Sequence, residues 1–277
     1  MNLCEKKKGP NGPFFINLTI LLLGLVLSSC SYIQQVAFKK DPREKPDLSK
    51  YEYMSNRDYL EHLDYLGDIY IKSPDVNTFQ LSKEAQNYTL SVLEQILVSN
   101  ETIFKKKFVP KISVVQSLTP FHFSTPNGHI YLSTGLLKKY INNENLLAVV
   151  LAIELLRSDK NVYIKNSIIP VGYISTERFL ALVRMPFEEK LEMNKWTYYV
   201  LRRAGYDSEN VLNLIQIKNK NTLDFSLQLG DTKMIAREES LFKAFIVKKY
   251  VDSIEKKKTN SSKGFYLLSR DLQRVVL

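Results

Sequence analysis

From Leu146 to Leu156 the chain reads "LLAVVLAIELL", with Glu154 as its single charged residue and no Gly or Pro to interrupt it. A helix this apolar around its whole circumference has no face to offer water and belongs inside a core. Asn143 and Glu144, just before the run, begin the helix. The rest of the chain must therefore be wrapped around this helix. A carboxylate in such a place is costly unless something neutralises it, so the fold must also bring Glu154 a partner. Arg157 is three residues on, a spacing that lets two side chains of one helix meet. In the competing reading, Arg157 ends the helix and reaches solvent beside Ser158 and Asp159.

The first 29 residues have the layout of an export signal: Lys6, Lys7 and Lys8, then the apolar "FFINLTILLLGLVL", then "LSSC". Small residues before a cysteine resemble the bacterial lipobox, here Leu27-Ser28-Ser29-Cys30. That resemblance implies cleavage before Cys30, lipidation of Cys30, and a domain held on a membrane in the bacterial cell envelope, facing the periplasm. Ser31, standing where Asp would retain a lipoprotein at the inner membrane, implies sorting to the outer membrane. The apolar stretch is short for a spanning helix, which needs roughly twenty residues. Cys4 leaves with the signal and Cys30 takes the lipid, so a disulfide is not expected. The net charge of +10 fits anionic headgroups. Aromatics interleaved with Arg, as on a nucleic-acid platform, are missing, so nucleic acid is not an expected partner.

Residues 30–55, with "KKDPREKPDLSKYEYMS" from Lys39 to Ser55, are charged, contain Pro42 and Pro46, and read as a tether. The folded domain is expected over 56–277. Ser82–Asn100 carries apolar residues at helical spacing, and "PKISVVQS" alternates like a strand. Pro126-Asn127-Gly128 is a turn, "HIYLS" a strand, and Thr134 a cap for a helix starting at Gly135. A helical region follows from about Thr176 to Arg203 with a break at Pro186. Another helix follows "AGYD", and a charged helix spans about Arg237–Lys258 before an apolar tail.

Three segments in this order, "STPNGHIYLSTGLL", "NENLLAVVLAIELLR" and "EMNKWTYYVLRRAGYDSENV", resemble family forty-eight of the metallopeptidases, the HtpX-like and CAAX-prenyl-endopeptidase-like zincins. The resemblance implies an α+β, zincin-like fold, mostly helical with a small sheet and a substrate-facing edge strand. In the family the buried helix bears H-E-x-x-H, whose two imidazoles grip zinc while the Glu serves as general base. Carried over, the first imidazole position is Ile153, the base position Glu154 is retained, and the second imidazole position is Arg157. The third-ligand position is Glu192, twelve residues before Ala204, and its usual Asp partner is Asn194. The family's C-terminal His-Pro element falls on Asp231-Thr232.

Isoleucine has no lone pair and a guanidinium is a permanent cation. The expectation is a pseudopeptidase without a cofactor, binding peptides or envelope-protein clients in a scaffold or quality-control role. Peptides would add to the edge strand Gly128, His129, Ile130, Tyr131, Leu132, Ser133. Arg157 is expected to stand near the inherited zinc position and to neutralise Glu154, Glu192 or both. The alternative is an active metalloendopeptidase with an unorthodox zinc site, drawing on His122, His129 and Glu192, with His129 facing solvent or substrate. His62, the remaining histidine, reads as a surface or half-buried residue.

Overall fold

The apolar run folds as a helix, Glu144–Lys160, in which every residue from Glu144 to Asp159 is buried. The Asn143 side chain caps it by accepting from the Leu146 amide at 2.9 Å. Asn161 ends it in the left-handed conformation, φ 53°. The computed structural model describes residues 56–107, 109–164, 171–249 and 261–274; the lipobox with Cys30 and the tether lie outside them. The described elements are, in order, α1 (Asn56–Tyr70), β1 (Thr78–Phe79), α2 (Lys83–Val98), β2 (Lys111–Val115), β3 (His122–Ser124), β4 (His129–Ser133), α3 (Thr134–Lys139), α4 (Glu144–Lys160), α5 (Thr176–Leu182), α6 (Phe187–Arg203), α7 (Asn210–Lys220), α8 (Ser226–Leu229), α9 (Met234–Lys249) and α10 (Lys263–Gln273). The class is mixed α+β, mostly helical, with one small sheet. Among the described residues no helix is long and apolar enough to cross a membrane.

α4 is enclosed by α2, α6, α7 and by strands β3 and β4. That encirclement is why it needs no polar face. The sheet runs β1-β2-β4-β3, with β2 and β4 parallel and the β3–β4 pair antiparallel. Thr125–Gly128 makes the hairpin turn: Gly128 donates to the Thr125 carbonyl at 3.0 Å, and its φ of 85° suits glycine alone.

Both faces of this sheet are covered. Val114, Ile130 and Leu132 join the larger core around α4, whereas Val115, Phe123 and Tyr131 join a second core with α1 and α5. Phe123 stacks against both Tyr131 and Phe179, each with its ring centroid 4.6 Å away. Successive strand residues alternate between the two cores.

This layout corrects the edge-strand expectation. β4 is an inner strand, bonded to β2 on one side and β3 on the other, and all of His129–Ser133 is buried. Its backbone donors and acceptors are already engaged, so a peptide cannot add there. The helix cap also shifts by one residue. Ser133, not Thr134, accepts from the Leu136 amide, at 3.1 Å, and also from the Phe121 amide at 2.9 Å. Thr134 instead ties to the backbone of Ser117. At Gly135 a Cβ would sit 2.2 Å from the Leu118 carbonyl oxygen, so only glycine admits this approach.

The break at Pro186 is real: α5 ends at Leu182, and Pro186, with no N–H to donate, stands at the start of α6. The charged C-terminal helix begins at Met234, three residues before the expected Arg237. The apolar tail is itself helical, α10, capped by Ser262 and packed on α2.

Candidate functional site

Glu154 is fully buried, and its partners come from a strand more than its own helix. On β3, Phe123 turns to the aromatic core, as does Phe121 just before the strand, and His122 and Ser124 turn to α4. His122 Nδ1 lies 2.5 Å from Glu154 Oε1, and Ser124 Oγ donates to Oε2 at 2.7 Å. Arg157 Nη1 stands 3.8 Å from Oε2, an ion pair too long to be a hydrogen bond. Burial pushes the Glu154 carboxyl upward, but the bond and charge of His122, then Arg157 and Ser124, outweigh it and hold the group below its usual range.

On its far side, His122 Nε2 lies 3.0 Å from Lys218 Nζ, brought by α7. An ammonium only donates, so Nε2 accepts and the ring proton sits on Nδ1, facing Glu154. Burial, then the Lys218 charge, pushes the imidazole down to about 4, so His122 is neutral at neutral pH. Lys218 itself is lowered to about 8, by burial first; Glu238 and Glu154 pull it back up, and Lys190 pushes it further down. Gln228 on α8 donates to the His122 carbonyl at 2.8 Å. Nearby, Asn194 of α6 donates to Glu238 of α9 at 2.7 Å, and Lys190 Nζ stands 3.9 Å from Glu238.

These groups line a cavity of about 50 Å³ between α4, α6, α7 and α8. Ile153, Leu180, Val183 and Leu214 add apolar wall. Arg157 is buried, at 3% exposure, and does not reach solvent; its guanidinium lies over the Tyr163 ring, 4.9 Å from the centroid.

Two expected members of the site are elsewhere. Glu192 is exposed and pairs with Lys195 at 2.5 Å, so it takes no part in neutralising Arg157. Asn194 points inward in its place: two residues along a helix is a turn of about 200°, enough to exchange the buried face for the wet one. His129 is buried, not open to solvent or substrate. It bonds Ser113 Oγ at 2.8 Å and the Tyr131 hydroxyl at 3.0 Å on the sheet face opposite His122. A metal site joining His122, His129 and Glu192 is therefore ruled out by geometry. His62 is half-buried on α1.

The residues at the ligand positions that the resemblance implies do not fit zinc. Ile153 has no donor atom, Arg157 would repel a dication, and Glu192 faces away. Among the described residues no three His, Cys, Asp or Glu side chains gather closely enough to hold a metal ion.

Lys218 and Glu238 are not among the site residues expected from the sequence, and Asn194 is expected there only as the partner of Glu192, although a signal existed. Val211, Leu214, Ile215 and Lys218 fall at i, i+3, i+4 and i+7, so Lys218 continues an apolar stripe. Asn194 does the same between Leu191 and Tyr198, and Glu238 between Ile235 and Phe242. Polar residues in register with a buried stripe mark an internal polar site. No protein-family model matches the chain, and no curated protein matches it either.

Proposed function

We propose that the chain is a lipid-anchored protein of the bacterial cell envelope whose domain, of zincin-like descent, is a pseudopeptidase: it binds peptides or envelope-protein clients and does not cut them. One observation carries this reading. The carboxylate at the general-base position is held by His122 and Ser124, while a buried guanidinium, Arg157, stands beside it where the resemblance requires a zinc ligand. A base in that position has no activated water to deprotonate. Nor does His122 replace it as a base, because Nε2, the nitrogen that would take a proton from a nucleophile, is turned to Lys218.

The full chain, extracted in detergent, is expected to carry well under one equivalent of zinc and to leave unfolded protein substrates uncut, with and without chelator. One tightly held equivalent together with chelator-sensitive cleavage would overturn the reading. Anchoring rests on "LSSC" and the basic, apolar leader. Cys30→Ala is expected to leave the membrane fraction or to remain unprocessed; normal cleavage with normal membrane retention would refute lipidation at Cys30. Client binding must use a surface other than β4, whose two edges are both paired.

A further inference from the structure

β1 is two residues long, and where it ends β2 loses its neighbour on that side. Successive peptide groups of a strand point to opposite sides. Lys111 donates to the Gly128 carbonyl at 3.2 Å, so Lys111, Ser113 and Val115 turn their backbone groups to β4. Gln116 donates to the Asn77 carbonyl at 2.8 Å on the β1 side, and Val114 and Ile112 share that direction. Phe79 meets Val114. Nothing in β1 meets Ile112, because past Phe79 the chain turns away to start α2. Ser82, which caps α2, has its own amide taken by Asp271 at 2.5 Å. Among the described residues no hydrogen bond from β1 or α2 reaches the N–H or the carbonyl of Ile112.

The gap bordered by Ile112, Ser113 and Val114 on β2 and by residues 78–81 is a cleft of about 200 Å³. That exceeds the roughly 150 Å³ of a cavity that admits a benzene ring. Its two faces differ in chemistry. Residues directly opposite each other on paired strands carry their side chains on one face. A residue paired with Ile112 would therefore stand on the face of Ile112 and Val114. There Phe79, Leu81 and Leu90 form an apolar wall, each half-buried and packed against the larger core. Its neighbours in sequence would stand on the opposite face, with Ser113. Ile71 and Lys72, just past α1, line the cleft there, since Ile71 packs on the second core. Lys72 is exposed, and it is the one charged side chain among the described residues of the lining. Pro110 brings no N–H to this edge, so any pairing along it is short.

We propose that a short extended peptide segment docks in this cleft as the continuation of β1. Its backbone pairs with the N–H and the carbonyl of Ile112, an apolar side chain lies against Phe79, Leu81 and Leu90, and an acidic residue beside it meets Lys72. An open donor and acceptor on one strand residue are matched by another backbone, and a lone cation at the rim favours a carboxylate. The inference deepens the client-binding reading above and rests on it, giving the client a surface other than β4.

Fluorescence anisotropy of the full chain in detergent tests it with a labelled peptide of sequence Ser-Glu-Leu-Glu-Ser, amidated at its end. Binding is expected with a Kd in the millimolar range or tighter. Methylating the leucine nitrogen removes the donor for the Ile112 carbonyl and should weaken binding about tenfold. Lys72→Glu, a change at an exposed position that the fold tolerates, should reverse the preference between this peptide and Ser-Lys-Leu-Lys-Ser. Hydrogen exchange at the Ile112 amide should slow about tenfold or more when the peptide is added. No binding, equal affinity of the methylated peptide, an unchanged preference in Lys72→Glu, or unchanged exchange at Ile112 would each overturn the proposal. A dimer of the chain that the peptide dissociates assigns the cleft to a second copy, and overturns it too. Failure here leaves the zinc and cleavage results standing. A chelator-sensitive protease activity would overturn the pseudopeptidase reading without altering these measurements.

Discussion

Glu154→Gln is expected to destabilise the protein by about 3–5 kcal/mol, and Arg157→Met in the same chain to return most of that loss. The glutamine keeps the shape and can still meet His122 and Ser124, so the change removes charge more than contact. What it strands is Arg157, a buried cation whose nearest carboxylate is Glu154 at 3.8 Å. Methionine at 157 then replaces that cation with an adaptable apolar chain beside Ile153, Leu180 and Val183. Arg157→Met alone should be milder, about 1–2 kcal/mol, because Glu154 retains two hydrogen-bond donors. Urea unfolding of the four proteins forms a double-mutant cycle, with an expected coupling of at least about 2 kcal/mol. A near-neutral Glu154→Gln, or strictly additive variants, would show that the two buried charges do not depend on each other.

Acidification should be the second large effect. His122 and His129 are both buried, and burial pushes each down to about 4 from an ordinary value of 6.5. Between those values the unfolded chain binds more protons than the folded one, so stability falls as pH drops from 6.5 to 4. Each histidine accounts for about 3 kcal/mol over that window. Asp64 acts in the opposite sense. Burial raises it to about 6, above its usual 3.8, so the folded state binds the extra proton there and recovers some stability. Asp64 is partly exposed, and its share is correspondingly smaller. The net expectation is a loss of about 3 kcal/mol or more by pH 4. His122→Asn keeps a donor toward Glu154 and should lose about 3 kcal/mol less over the same range. Unfolding curves at pH 7 and pH 4 decide the matter: an identical pH dependence in wild type and His122→Asn would mean that His122 is not a buried neutral base.

Much of the architecture is written in local patterns. The burial of α4 follows from a run of residues with no polar face, its start from Asn143, and the break between α5 and α6 from Pro186. The Pro126-Asn127-Gly128 turn and the strands flanking it follow from turn chemistry and alternation. The requirement that something meet Glu154 is equally local, because an uncompensated carboxylate cannot stay in an apolar helix.

What meets it was decided by tertiary structure. Alternation assigns His122 and Ser124 to one face of β3, but only the packing of that face on α4 makes them the ligands of Glu154. Strand order is likewise invisible in a single strand. β4 reads as an edge until the parallel pairing with β2 takes its second side, a contact between segments joined through β3. The register of the sequence resemblance put Glu192 at the site, yet the apolar stripe of α6 turns Asn194 inward and leaves Glu192 in water. Lys218 and Glu238 lie far along the chain from Glu154, and the packing of α7 and α9 brings them to the same cavity. Periodicity sets which face of an element is buried; the identity of the atoms opposite that face depends on how the elements dock, and here that docking sets His122, Ser124 and Arg157 around Glu154.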